Sequence, residues 1–260
     1  MKLLCVMLCV ALACSESSGT PVKRNSPTEM EMATSLEELG GNFEGDIVLS
    51  PEQQSAVEYG YTTLIGERYK WPDSIVPFQI DINAFTRVER DNIVSAMREI
   101  ELVSCVRFVS RTTETDYIMV TGAKDSGCWS FLGHRGGMQT LNLQPDGCMA
   151  RGTIIHELLH SLGFVHMQSA SDRDFYVQIN WDAIPTSKAS NFNRYSSNII
   201  EDFGIPYDYD SVMHYGSTMF NKGNGEETIV PKRPGVIIGQ RVGLSSKDVK
   251  RLNYLYSNCF

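Results

Sequence analysis

The chain has 260 residues and a formal net charge of −8, from 23 Lys and Arg against 31 Asp and Glu. No basic patch with interleaved aromatic residues stands out in the sequence, which excludes a nucleic-acid-binding protein. The acidity is concentrated in residues 20–61, which hold eight Asp or Glu and two Lys or Arg. The remainder is nearly neutral and long enough to bury the core of one large domain.

The first residues have the pattern of a secretory signal peptide. Lys2 gives a positive start, Leu3–Cys14 form an apolar run too short to span a bilayer, and small residues follow to Gly19. We therefore expect residues 1–19 to be a signal peptide and the protein to be secreted and extracellular. The alternative is a buried amino-terminal helix.

The part of the chain expected to fold compactly begins near Thr62. Strands and one helix are predicted to alternate in its first half. The helix is predicted over Thr86–Val103, because Thr86 and Glu89 have the spacing of a capping box. Apolar residues at helical spacing form its predicted buried side: Val88, Ile93, Met97 and Ile100. Strands are predicted over four segments rich in apolar residues: Val76–Ile82, Val106–Val109, Tyr117–Val120 and Gly136–Leu143.

Two more helices are predicted further along the chain. The first runs over about Arg151–Leu162. After His166 the chain is expected to be irregular until Ser245, where Ser245 and Asp248 can cap a final helix. The apolar positions of that final helix are Val249, Leu252 and Leu255.

The Arg151–Leu162 helix carries a pattern typical of a catalytic zinc site. His156 and His160 are four residues apart, so on a helix their imidazoles share one face, about 6 Å apart along the axis. Both can then reach one ion at about 2.0–2.1 Å. Gly163 can end the helix in the left-handed conformation, which lets the chain turn and bring His166 back as a third ligand.

Glu157 follows the first of these ligands and points beside the metal. There it can act as general base toward a zinc-activated water, whose pKa the metal lowers toward about 7. A bare HExxH pattern has false positives, and a His on an apolar helix face is usually a core residue. The longer pattern fixes five positions, and it favours the zinc site over that alternative.

Four cysteines remain once the signal peptide is removed: Cys105, Cys128, Cys148 and Cys259. An even number in an oxidising compartment predicts two disulfides, and the sequence alone allows three pairings. Cys128 and Cys148 flank one short segment and are the natural local pair. That choice leaves Cys105 with Cys259.

The sequence resembles one protease family over about Thr62–Cys259. The zinc motif through His166 is that of the metzincins, and Ser211–Gly216 is similar to their Met-turn in its astacin form. Two further segments are similar to astacin sequences: Gly127–Ser130 and Gly136–Gln139. The resemblance is therefore to the astacin family of zinc metalloendopeptidases, and within it to the stand-alone fish hatching-enzyme and nephrosin types.

This resemblance implies the fold and the division of the chain. The fold is expected to be α+β, a two-lobed catalytic domain with a mixed sheet and the zinc helix in the amino-terminal lobe. The carboxy-terminal lobe is expected to be irregular, with a terminal helix. Residues 20–61 would be a propeptide and residues 62–260 the catalytic domain, so that the protein is made as a zymogen.

The resemblance also implies roles for individual residues. One Zn²⁺ per chain would be held by His156, His160 and His166, Tyr215 would stabilise the oxyanion, and Met213 would pack beneath the metal. The Cys128–Cys148 disulfide would rim the cleft and Cys105–Cys259 would tie the lobes together. A protein or peptide substrate would lie extended along Gly136–Leu143 as the edge strand.

A mechanism of latency follows from the same resemblance. Phe43–Asp46 is similar to the astacin prosegment motif, in which an aspartate occupies the fourth position on the metal. Asp46 would therefore be a ligand in the zymogen only, until an activating protease cuts just before Thr62. In one departure, Met167 stands where the family usually has the Glu that pairs with the new amino terminus.

The leading prediction is thus a secreted zinc endopeptidase that hydrolyses extracellular proteins. The alternative is a secreted zinc-containing binding module without turnover. The expected partners are a substrate and an activating protease, with no nucleic acid and no membrane, and the protein is expected to be a monomer.

Overall fold

The computed structural model describes residues 36–59, 67–197, 199 and 203–257. The predicted signal peptide, the residues around Thr62 and Cys259 lie outside these described residues. The expectations about secretion, about the exact mature amino terminus and about the partner of Cys259 therefore stay predictions.

A six-stranded mixed sheet forms the frame of the first lobe. Only β5 runs antiparallel to its neighbour β6, and the other paired strands are parallel. In the spatial order β1–β5–β6–β4–β2–β3, the strands are β1 (Ile47–Val48), β5 (Cys128–Phe131), β6 (Met138–Leu143), β4 (Tyr117–Thr121), β2 (Ile75–Ile80) and β3 (Arg107–Ser110). The four predicted strands are all present, within two residues at most of their ends.

Four helices of nine residues or more accompany the sheet in the described part of the chain: α1 (Pro51–Tyr59), α2 (Arg87–Val103), α3 (Arg151–Ser161) and α4 (Ser246–Leu255). Helix α2 begins as predicted, because Thr86 and Glu89 form the reciprocal capping box. Helix α4 begins with the capping box of Ser245 and Asp248. A further short helical turn spans Pro145–Cys148.

One predicted core residue of α2 is wrong. Ile93, Met97 and Ile100 are buried, but the side chain of Val88 is 68% exposed. At 100° per residue Val88 lies about 180° around the helix from Met97. Its apolar character therefore does not place it on the buried face, where Ala96 lies instead.

The region after His166 is more ordered than predicted. Strands β7 (Val177–Ile179) and β8 (Ile229–Pro231) pair antiparallel as a second, two-stranded sheet. Short 3₁₀ helices of three to seven residues connect much of the remainder: Met167–Ser169, Arg173–Phe175, Trp181–Ala183 and Thr186–Phe192. The short length of these elements explains why no periodic pattern indicated them.

Two hydrophobic clusters hold the described part together. The larger lies between the six-stranded sheet and helices α2, α3 and α4, and the smaller surrounds β7, β8 and Tyr215. Every residue of α3 except Arg151 is buried, so the helix passes through the interior between sheet and carboxy-terminal lobe. The α+β fold with a mixed sheet confirms the predicted fold class. No helix in the described residues is long and apolar enough to cross a membrane.

Candidate metal centre

The first turn of helix α3 packs directly against the backbone of the carboxy-terminal lobe. The Gly152 N–H donates to the carbonyl of Arg241 at 3.1 Å. A Cβ at Gly152 would lie 1.9 Å from the Arg241 carbonyl carbon, so only glycine permits this approach. One turn further on, α3 presents His156 and His160 on one face, both buried.

The turn after α3 returns the third histidine to the same place. Gly163 has a φ of +103°, a left-handed value that other residues resist. The N–H of Phe164 then bonds back to the carbonyl of Leu159 at 3.0 Å. The chain thereby leaves the helix axis and places the His166 imidazole beside the other two.

Three imidazole nitrogens and one carboxylate converge in a buried cluster. The Nε2 atom of His156 lies 3.0 Å from Nε2 of His160 and 3.3 Å from Nε2 of His166. The Asp46 carboxylate oxygens lie 3.2 Å from His156 Nε2 and 3.3 Å from His166 Nε2. Four ligands at about 2.05 Å from a tetrahedral zinc would stand about 3.3 Å apart. The cluster therefore fits one tetrahedral zinc ion.

The other ring nitrogen of each histidine has its own partner. The Nδ1 of His156 faces the Val212 carbonyl at 2.8 Å, and that of His160 faces the Phe164 carbonyl at 2.7 Å. A carbonyl can only accept, so in both rings Nδ1 carries the proton and Nε2 is free to ligate. Burial, and then Arg241, lowers the pKa of His156 to about 4, which keeps this ring neutral.

Asp46 reaches the cluster through a tight turn just before β1. Glu44 and Gly45 both have positive φ, 49° and 94°. A Cβ at Gly45 would lie 2.9 Å from the Phe220 ring and 3.0 Å from the Glu37 carbonyl. Burial alone would raise the pKa of Asp46, but the charges of His166 and His160 outweigh it and hold that pKa well below 3.8.

Glu157 lies beside this cluster and is fully buried. Neither of its carboxylate oxygens has a hydrogen-bond partner among the described residues. Burial raises its pKa well above 4.5, and the carboxylates of Asp46 and Glu37 raise it further. A buried carboxylate without a protein partner beside a metal site can accept a proton from a water molecule there.

Tyr215 lies beside the cluster and Met213 is buried in the segment bonded to Met167; the roles expected of both residues stay predictions. The Tyr215 ring centroid is 4.6 Å from that of His166, and its hydroxyl donates to the backbone carbonyl of Glu44 at 2.5 Å. Burial, and next the charge of Glu44, raises the pKa of Tyr215 well above 10, so the phenol remains a donor. Met213 is buried, and its carbonyl accepts from the Met167 N–H at 2.9 Å.

Two further carboxylates at the site, both before Asp46 in the chain, were not identified from the sequence. Glu44 contacts the Nδ1 of His166 at 2.8 Å and accepts from the Ser169 hydroxyl at 2.6 Å. Glu37 forms a buried, two-pronged ion pair with Arg241, at 2.6 and 2.5 Å. Arg241 also donates to the carbonyls of Val212 and His214 in the Met-turn.

The predicted substrate strand is wrong. Strand β6, within Gly136–Leu143, pairs with β4 over Met138–Asn142 on one side and with β5 over Leu141–Leu143 on the other, so it lies inside the sheet. The next strand on this side of the sheet is β5, and strand β1 covers it. Strand β6 could not be recognised as internal because register and neighbour order depend on the whole sheet, not on local alternation.

Of the two predicted disulfides, Cys128–Cys148 lies wholly within the described residues. Cys128 and Cys148 are joined, and both are buried. Cys105 is also disulfide-bonded. Its predicted partner Cys259 lies outside the described residues.

The chain matches the family model Astacin, which describes a peptidase family, over residues 64–257. It is 42% identical to High choriolytic enzyme 2 of Oryzias latipes over 218 residues, which are 84% of this chain and 75% of that protein. It is also 42% identical to Meprin A subunit beta of Homo sapiens over 220 residues, which are 84% of this chain and 30% of that protein.

Solved structures agree with these matches. High choriolytic enzyme 1 of Oryzias latipes, a hatching enzyme zinc-protease, matches with a TM-score of 0.66 and 43% identity, covering 72% of this chain and 92% of that chain. Myroilysin matches with a TM-score of 0.52 at 20% identity and therefore shares the fold alone. Because the family match covers residues 64–257, which include all three histidines of the metal centre, the chain belongs to the astacin family and is a zinc metalloendopeptidase.

Proposed function

We propose that this protein is the secreted zymogen of an endopeptidase that hydrolyses extracellular proteins. The observation that carries the zymogen proposal is the position of Asp46, which is fully buried and lies at the fourth corner of the metal site. A carboxylate there excludes both water and substrate from the metal. The predicted signal peptide and the Cys128–Cys148 disulfide support secretion, since disulfides persist in oxidising compartments.

The residues around the metal can perform peptide hydrolysis once Asp46 leaves. Zinc, when bound, polarises the scissile carbonyl and acidifies the attacking water. Glu157 accepts the proton from that water and delivers it to the leaving amine. Tyr215 loses its prosegment partner, the carbonyl of Glu44, and its phenol is then available to donate to the developing oxyanion.

Removal of the prosegment also exposes a place for an extended substrate. The N–H of Ser130 donates to the Asp46 carbonyl at 2.9 Å, and the N–H of Leu132 donates to the Val48 carbonyl at 3.2 Å. Both donors belong to the β5 edge and its continuation. A substrate backbone can take their place as an added strand, which puts its scissile bond at the three histidines.

Glu157→Gln is the direct test of the catalytic proposal. The full chain is activated with chymotrypsin, which can cut after Tyr61, and assayed on a fluorogenic peptide with and without 1,10-phenanthroline. We expect hydrolysis by the wild type that the chelator abolishes. We expect a loss of at least about 100-fold in Glu157→Gln, because a general base contributes about 10²–10⁴-fold.

Metal analysis of the same samples provides the control. Glu157→Gln is expected to retain one zinc per chain, since Glu157 is not among the converging ligands. A wild type that binds zinc but cuts no peptide after activation would favour the binding-module alternative. Substantial hydrolysis by Glu157→Gln would refute the role of this carboxylate.

A further inference from the structure

The prosegment extends beyond Asp46 along the cleft and shows which side chains the cleft accepts there. After β1, the chain enters α1, where the Gln53 side chain donates to the Leu132 carbonyl at 3.0 Å. Glu52, the preceding residue, lies at an open groove of about 510 Å³. The catalytic part contributes to this groove the residues Arg68, Tyr69, His134, Arg135 and Gly136. A prosegment carboxylate thus lines the same groove as two arginine side chains.

Both cations of the groove are held by aromatic rings. The Arg68 guanidinium lies 4.5 Å from the centroid of the Tyr69 ring, and that of Arg135 lies 4.3 Å from the centroid of Phe131, the last residue of β5. Such stacking restricts a long side chain while leaving its charge available. The two charges are therefore positioned before any ligand arrives.

The neighbouring acidic groups do not neutralise this pair. Asp116 contacts His134 and accepts from the Gly137 N–H, and Glu67 pairs with Lys70. Glu52 belongs to the prosegment and leaves on activation. Its own backbone and the Ser50 hydroxyl lower the pKa of Glu52, and Arg68 and Arg135 lower it further.

The direction of the prosegment decides which part of a substrate reaches the groove. Strand β1 runs parallel to β5, with Ile47 opposite Ser130 and Val48 opposite Phe131. Antiparallel pairing is the slightly more stable arrangement, so a substrate is expected to run opposite to the prosegment. Substrate residues that lie beside the groove are then on the amino side of the scissile bond. From Asp46 to Ser50 the extended chain spans about 13 Å, or about four residues.

We propose that Arg68 and Arg135 form a subsite that selects an acidic side chain about three to five residues before the scissile bond. The inference rests on the proposed endopeptidase activity and names a class of substrate for it, extended peptides that are acidic on their amino side. The prosegment, through Glu52, occupies the same subsite in the latent protein.

The test uses the full chain activated with chymotrypsin, which can cut after Tyr61, and a series of neutral fluorogenic peptides with one Glu placed at each position from second to fifth before the scissile bond. For the wild type we expect kcat/KM to exceed that of the Gln-substituted peptide by about three- to tenfold, with a maximum at the third to fifth position. The preference should decline as salt is added, because both cations are exposed.

Variants distinguish this subsite from a general effect of charge. In the double variant Arg68→Gln/Arg135→Gln the Glu preference, measured as the ratio of kcat/KM for the Glu peptide to that for the Gln peptide, should fall to about onefold. In Arg68→Glu/Arg135→Glu a Lys peptide should become preferred over its Gln counterpart. Arg87→Gln, an exposed cation outside the groove, should keep the wild-type preference.

The results that would overturn the subsite differ from the result that would overturn the proposed endopeptidase activity. An unchanged Glu preference in the double variant, a preference on the carboxyl side of the bond, or no preference in a wild type that cuts neutral peptides would overturn the subsite. A wild type that cuts none of the peptides would instead overturn the proposed endopeptidase activity.

Discussion

Among single residues, Asp46 differs most between the proposed latent and active states. Its carboxylate lies 3.2 Å from His156 and 3.3 Å from His166, and is buried with them. The folded-state pKa lies well below 3.8, so the favourable contribution of the charge is present above pH 3.8. That contribution is lost only as pH falls through the lower, folded-state value.

We therefore predict that the unprocessed wild type stays latent between pH 7 and pH 5, whereas unprocessed Asp46→Ala hydrolyses peptides at both pH values. If the open state rises from about 1% of molecules to most of them, activity before processing rises about 100-fold. A fluorogenic assay under conditions that exclude cleavage of the chain measures this. Activity of the intact wild type at pH 5, or continued latency of Asp46→Ala, would contradict the prediction.

The sequence predicted those site residues whose spacing has a local cause. His156 and His160 are related by one helical turn, and Gly163 marks the turn toward His166. Glu37 and Arg241 form an ion pair across 204 positions of sequence. No local pattern relates a carboxylate to a guanidinium at that distance, because only the folded chain brings them together.

At the scale of elements, α3 is positioned by contacts at its first turn. Gly152 occupies the second helical position of α3, directly against the Arg241 backbone. A methyl group there would overlap the Arg241 carbonyl carbon at 1.9 Å. Neither backbone can yield easily, because α3 is buried on all sides and Arg241 is held by Glu37 and by the Met-turn.

Gly152→Ala is predicted to destabilise the protein by about 1–3 kcal/mol, the usual range for overpacking a core, despite the better helix propensity of Ala. Urea unfolding of the full chain measures the free energy of unfolding. Val88→Ala is a matched control, since Val88 occupies the second helical position of α2 and is 68% exposed. Equal stability of Gly152→Ala and wild type would show that the contact between α3 and Arg241 can relax.

The bounds of individual helices and strands were easier to predict than the order in which the strands pair. Helix α2 and strand β4 follow from capping and apolar periodicity, which act within a few residues. The internal position of β6 and the pairing of β7 with β8 depend on segments far away in sequence. The same long-range order made β5, rather than β6, the edge that the prosegment covers.

Across the whole molecule, the prosegment contacts both lobes at once. Strand β1 pairs with β5 of the sheet, and Glu37 forms an ion pair with Arg241 of the carboxy-terminal lobe. Between these two contacts, Asp46 lies against His156 and Glu44 lies against His166 at the metal site. Because Glu37 lies within residues 20–61, the proposed propeptide, its ion pair belongs to the latent protein alone.

Glu37→Gln is therefore predicted to weaken the zymogen and to leave the activated enzyme unchanged. Loss of the carboxylate leaves the Arg241 guanidinium buried without its charged partner, which is expected to destabilise the latent form by about 3 kcal/mol or more. Thermal unfolding before and after chymotrypsin treatment, which can cut after Tyr61, measures both forms, and the unprocessed variant should also be digested faster. Glu58→Gln, an exposed substitution in α1, is the control and should match wild type. An unchanged zymogen midpoint, or an equal decrease in both forms, would mean that this ion pair does not hold the prosegment in place.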